Sequence, residues 1–225
     1  MRVLSIETPT HGRVLIEDAT IEASPARILI GFHGYGQNAQ AMLDEMRQIP
    51  GADMWRLVSV QALHRFYTRG DQSVVASWMT REDREHAIAD NVEYVRRVVA
   101  CALEPAEPNS ESTIPNPEFR LVFLGFSQGA SMAVRAAARV QPRASGIILL
   151  AGDIPPDIKD DASVQLPPTL IGCGTTDTWY SPRVEADVAF LKSRGVPHEV
   201  AHFEGGHEFT DAFRQAAGKW LSERR

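Results

Sequence analysis

Cysteine is scarce in this chain: 225 residues hold two, Cys101 and Cys173. That is too few for a disulfide framework or a cysteine metal cluster, and each is expected to be a buried, reduced packing residue. A basic excess is also missing. With 23 Lys and Arg against 29 Asp and Glu, the net charge is −6, which gives nucleic acid or an anionic membrane no attracting face. No apolar run approaches the roughly 18 residues that span a bilayer. The N-terminal MRVLSIETPTHG lacks the apolar segment of a secretory signal. The expectations are therefore a cytoplasmic chain, no nucleic-acid partner and no integral membrane association. No internal repeat is present.

What is present is an alternation. An apolar fraction of 44% and a charged fraction of 23% are those of a globular protein, and the length suits one α/β domain over residues 1–225. Short runs rich in Val, Ile, Leu and Phe recur: RILIGF (27–32), RLVSV (56–60), RLVFLGF (120–126), SGIILLA (145–151), PTLIGCG (168–174) and PHEVAHF (197–203). Continuous apolar runs of this length suit parallel strands covered on both faces. Helical patterns lie between them, near 38–48, 84–104, 128–141, 181–195 and 209–223. The expected fold is a mostly parallel sheet with helices on both faces. Ahead of it, VLSI (3–6) and RVLIE (13–17) are expected to pair as an antiparallel hairpin. EPAEPNSESTIPNPE (104–118) is rich in proline and small polar residues and is expected to be a surface loop within the domain. Residues 61–83 read as irregular.

The strand RLVFLGF runs straight into a helical pattern through Gly125-Phe126-Ser127-Gln128-Gly129. This is G-x-S-x-G in the strand–turn–helix setting of a nucleophile elbow. The turn lifts the serine hydroxyl clear of the sheet and aims the unpaired N–H groups of a helix N-terminus at charge developing beside it. Serine needs a base, and the base an orienting acid. Of seven histidines, His198 and His202 fall within the last strand pattern and suit packing or surface roles. His207 lies beyond that strand in FEGGHEF, where loops form the ligand crevice of open α/β sheets. Asp177, in GTTDTWY, and Asp153, in LLAGDIPP, both follow strand ends. Asp177 is preferred because Ser127, Asp177 and His207 then follow three separate strands, whereas Asp153 is explained by the turn before Pro155 and Pro156. Oxyanion donors are expected from the backbone amides of Gln128 and of Tyr35 in His33-Gly34-Tyr35-Gly36. No ligating residue stands at a suitable spacing beside His33, so neither a metal nor an organic cofactor is expected.

Taken together, HGYG, SWM (77–79), GFSQGA, GTTD and GGHE resemble the small α/β-hydrolase family of phospholipase/carboxylesterases, which includes bacterial carboxylesterases and acyl-protein thioesterases. The resemblance runs from about residue 26 to 221 and implies an α/β-hydrolase fold without a large cap. It also implies a cofactor-free serine hydrolase acting on small-molecule esters, thioesters or lysophospholipids, with an acyl pocket lined partly by the segment before SWM. Trp78, Met79 and Trp179 are the substrate-binding candidates, with Phe66, Tyr67 and Tyr180 beside them; each has an alternative as plain packing. Departures from the family pattern are HGYGQN for HGLGD, which puts Tyr35 where it narrows the site, GFSQGA for GFSQGG, and Glu208-Phe209 after the base. A non-catalytic binding module of the same fold, a compact peptidase or amidase, and a homodimer remain open at this level.

Overall fold

The computed structural model describes residues 1–20, 26–104 and 119–223. Among these, a seven-stranded sheet forms from β1 (Arg13–Glu17), β2 (Ala26–Phe32), β3 (Arg56–Gln61), β6 (Phe119–Phe126), β7 (Gly146–Leu150), β8 (Thr169–Gly174) and β9 (His198–Phe203), in the order β1-β3-β2-β6-β7-β8-β9. Only β1 is antiparallel to its neighbour. A small antiparallel hairpin, β4 (His64–Tyr67) and β5 (Val74–Ser77), stands apart from the sheet. The helices are α1 (Ala39–Arg47), α2 (Arg84–Ala102), α3 (Gln128–Arg139), the short α4 (Pro156–Lys159), α5 (Ser181–Ser193) and α6 (Asp211–Ser222).

The apolar runs explain the layering. Successive side chains of a strand point to opposite faces, so β2 sends Ile28, Ile30 and Phe32 into one core and Leu29 into the other. The first core is closed by α2, α3 and α5, through residues such as Val95, Val99, Ala133 and Leu191. The second is closed by α1 and α6, through Met42, Met46, Phe213 and Trp220. Each such apolar side chain taken out of water contributes roughly 1.5–3 kcal/mol, so the two layers fix which helices lie on which side. Side-chain caps set where two helices begin: Asn38 accepts from the Ala41 amide and Thr210 from the Phe213 amide.

Three expectations change. VLSI (3–6) forms no strand and is exposed, and β1 pairs with β3 instead of with it. All five residues of β1 are in register with β3, from Arg13 opposite Gln61 to Glu17 opposite Leu57. Residues 61–83, read as irregular, contain the β4–β5 hairpin. Cys101 is exposed, whereas Cys173 is buried as expected. The proline-rich stretch lies outside the described residues apart from Glu104.

Candidate active site

The elbow is set by two close approaches of backbone. A Cβ on Gly125 would lie 2.4 Å from the Gly129 carbonyl oxygen, and one on Gly129 would lie 2.1 Å from that of Phe32. Neither contact can relax by moving a side chain. Between these glycines Ser127 adopts φ 53 and ψ −120, a conformation costing on the order of 1–3 kcal/mol, with its amide bound to the Leu150 carbonyl.

His207 reaches the same point from beyond β9. Its Nε2 lies 2.7 Å from Ser127 Oγ and its Nδ1 lies 2.8 Å from Asp177 Oδ2. With the proton on Nδ1, the Nε2 lone pair faces the serine hydroxyl. Asp177 is buried, and its Oδ1 accepts from the Trp179 and Tyr180 amides at 2.9 Å each. These bonds fix the carboxylate and satisfy its second oxygen. The GTTD and GGHE loops are laced together, because both the amide and the hydroxyl of Thr176 donate to the Gly205 carbonyl. Phe126 and Trp179 flank the imidazole at ring distances of 5.2 and 5.6 Å, and Phe209 packs on Phe126.

Tyr180 is fully buried rather than part of a pocket wall. Its hydroxyl donates to Asp187, which also accepts from the Ile154 amide and faces Lys159. Burial raises the Asp187 carboxyl above its ordinary range even against that lysine. The cluster ties the loop after β7 to the loop holding Asp177.

The HGYG turn uses its amides unevenly. Gly34 donates to the Gln37 side chain, Gly36 to the Ala76 carbonyl and Gln37 to the Gly34 carbonyl. Among the described residues this leaves the Tyr35 amide unused by the turn. Gln128, as first residue of α3, has no intrahelical acceptor for its amide. His33 holds the turn from below: its Nε2 accepts from the Ala62 amide and its Nδ1–H donates to the Gly34 carbonyl. Burial pushes its pKa down to about 4, with the Gly34 bond acting the other way, so the ring is neutral.

A cleft of about 430 Å³ opens at Ser127, within the range of small-molecule sites. Met79 and Trp179 line it, together with Tyr35, Ser131 and Asp153. Trp78 does not. It is fully buried, its indole N–H donates to the His33 carbonyl and its ring packs on Phe32, which corrects its reading as a substrate contact. Phe66 and Tyr67 are exposed on the β4 strand and outside the cleft wall. Asp153 borders the cleft, while Asp177 is the carboxylate on His207. The alphabetic pattern alone missed the Gln128 side chain, which accepts from the Trp78 amide and donates to the Met79 carbonyl, and the two arginines of the cleft, Arg81 and Arg84. Among the described residues no group of three or more His, Cys, Asp or Glu could hold a metal, and no helix is long and apolar enough to cross a membrane.

Comparison with known proteins bears on the fold and the family. A carboxylesterase from Bacillus cereus superposes with a TM-score of 0.68 at 16% identity, covering 95% of each chain. An acyl-protein thioesterase from Zea mays gives 0.67 at 18%, over 95% of this chain and 99% of that one. A Mesorhizobium loti carboxylesterase gives 0.63 at 20%, over 89% and 90%. At these identities the likeness shows the α/β-hydrolase fold. No curated protein matches by sequence. The phospholipase/carboxylesterase family profile matches residues 17–223, and the chain belongs to that family of hydrolytic enzymes.

Proposed function

We propose that the chain is a single catalytic domain that hydrolyses carboxylic esters through an acyl-enzyme on Ser127. The observation that carries this reading is the unbroken run Ser127 Oγ, His207 Nε2, His207 Nδ1, Asp177 Oδ2, with both links below 3 Å. Ser127 Oγ attacks the carbonyl carbon while His207 Nε2 takes its proton, and Asp177 stabilises the imidazolium that forms. The oxyanion is held by the Tyr35 and Gln128 amides, donors that the turn and helix leave unused; each is worth about 10²–10³ in rate. Collapse expels the alcohol, which takes the proton from His207. Water then attacks the acyl-enzyme with His207 again as base, releasing the acid and restoring the serine. None of these steps calls for a metal or an organic cofactor.

Met79, Trp179 and the Tyr35 ring are the apolar contacts available to the substrate, and the polar remainder of the cleft favours a short acyl group over a long chain. Thioesters and lysophospholipids carry the same reacting carbonyl and fall within the same chemistry. The test is hydrolysis of p-nitrophenyl acetate, butyrate, octanoate and palmitate, with butyryl p-nitroanilide as the matched amide. The wild type is expected to cleave the short esters and leave the anilide. Ser127→Ala, folded by circular dichroism, should lose at least about 10⁴-fold in kcat. Equal turnover by both proteins removes Ser127 from the mechanism, and preferential cleavage of the anilide makes the enzyme an amidase.

A further inference from the structure

Arg81 and Arg84 line the cleft that contains Ser127. The chain as a whole is acidic, at −6, yet the charged residues of this cleft are two arginines and one aspartate, Asp153. The local sign is reversed. Five other arginines, Arg47, Arg56, Arg96, Arg135 and Arg214, each hold a carboxylate. The side chains of Arg81 and Arg84 have no hydrogen bond or ion pair among the described residues, although Glu82, Asp83 and Glu85 are their sequence neighbours. Their guanidinium groups thus keep their donors free of any partner among the described residues, beside Ser127.

Their placement is built in. Gln128 clamps the start of the segment that carries them, accepting from the Trp78 amide and donating to the Met79 carbonyl, and Ser77 Oγ donates to that carbonyl as well. Asn91 donates to the Trp78 carbonyl from within α2, the helix that Arg84 begins. The segment between Met79 and Arg84 is therefore fixed at one end to the residue after Ser127 and at the other to α2. Guanidinium forks carried on such an anchored backbone match the two oxygens of a carboxylate or phosphate.

We propose that Arg81 and Arg84 form an anion subsite that selects esters bearing a carboxylate or phosphate remote from the scissile bond. The inference rests on the esterase reading of Ser127. Both arginines are exposed, so the attraction is screened by salt and its expected size is modest, about tenfold in kcat/KM.

Two matched pairs separate the two anions: monomethyl adipate against methyl hexanoate, and the acetyl ester of hydroxyethyl phosphate against butyl acetate, each followed by pH-stat near neutrality. The wild type should prefer the charged member of at least one pair about tenfold. Raising NaCl from about 50 to about 500 mM should erode that preference. Arg81→Gln/Arg84→Gln should abolish it, and Arg81→Lys/Arg84→Lys should keep part of it. Binding of adipate to Ser127→Ala, measured by calorimetry with and without the glutamine pair, reads the subsite without catalysis and should weaken about tenfold with it. No preference in either pair, a preference that survives the glutamine pair, or adipate binding indifferent to it overturns the subsite. Failure of the nucleophile reading shows separately, as an absence of ester turnover or as turnover that survives Ser127→Ala, and the calorimetry then decides the subsite alone.

Discussion

The side-chain amide of Gln128 binds the main chain of Trp78 and Met79 on two sides, accepting from the Trp78 N–H at 2.9 Å and donating to the Met79 carbonyl at 2.9 Å. The residue that follows Ser127 thereby also fixes one wall of the cleft. Gln128→Glu retains the acceptor but sets a carboxylate oxygen against the Met79 carbonyl. It is expected to lower stability by about 1–3 kcal/mol in urea unfolding and to raise KM, while leaving the backbone amide in place.

Asp177 holds the imidazole through one oxygen and two amides through the other. Asp177→Asn can keep the shape but favours the tautomer with a proton on Nε2, which cannot accept from Ser127. A fall in kcat of about 10⁴-fold is expected, with the unfolding midpoint little changed. A fall below tenfold would show that His207 is oriented by other groups.

Gly129 sits where a Cβ would meet the Phe32 carbonyl at 2.1 Å. Gly129→Ala must push α3 away from the end of β2, and with it the elbow. A loss of about 1–3 kcal/mol is expected from overpacking, together with a lower kcat, because β2 leads directly into the HGYG turn. Unchanged stability would mean that the elbow has room the structure does not show.

His33 gives a signature in pH. Its folded pKa of about 4 lies below the ordinary histidine value of 6.5, so between these values the unfolded chain binds the proton and the folded one does not. Stability from this group is fully present above about pH 6.5 and is lost as pH falls towards 4. The loss amounts to about 3 kcal/mol at most. His33→Gln, which can still accept from Ala62 and donate to Gly34, should flatten that part of the curve in urea unfolding at pH 7, 5.5 and 4.

The layered fold and the residues Ser127, Asp177 and His207, which the structure brings into one hydrogen-bonded run, are readable from sequence because each has a local cause. Buried parallel strands are continuously apolar, as in GIILL of β7, and the elbow demands glycines at fixed places around Ser127. Trp78 shows where that reading stops: an aromatic beside a site motif has the same pattern whether it faces substrate or core, and the choice was made by a hydrogen bond to the His33 carbonyl 45 residues away. VLSI (3–6) has strand composition, but pairing depends on which partner edge is free, and β3 took β1. Arg81 and Arg84 sit among acidic neighbours in REDRE and look like an ordinary solvated run; only the anchoring of Met79 by Gln128 turns them to the cleft.

The most direct test of the acyl-enzyme account is intact-protein mass spectrometry during rapid-quench turnover of p-nitrophenyl butyrate, with peptide mapping of any adduct. The account predicts a butyryl group on Ser127, formed with a stoichiometric burst of p-nitrophenol and absent from Ser127→Ala. Steady ester turnover with no adduct on Ser127, or the same turnover in Ser127→Ala, would contradict it.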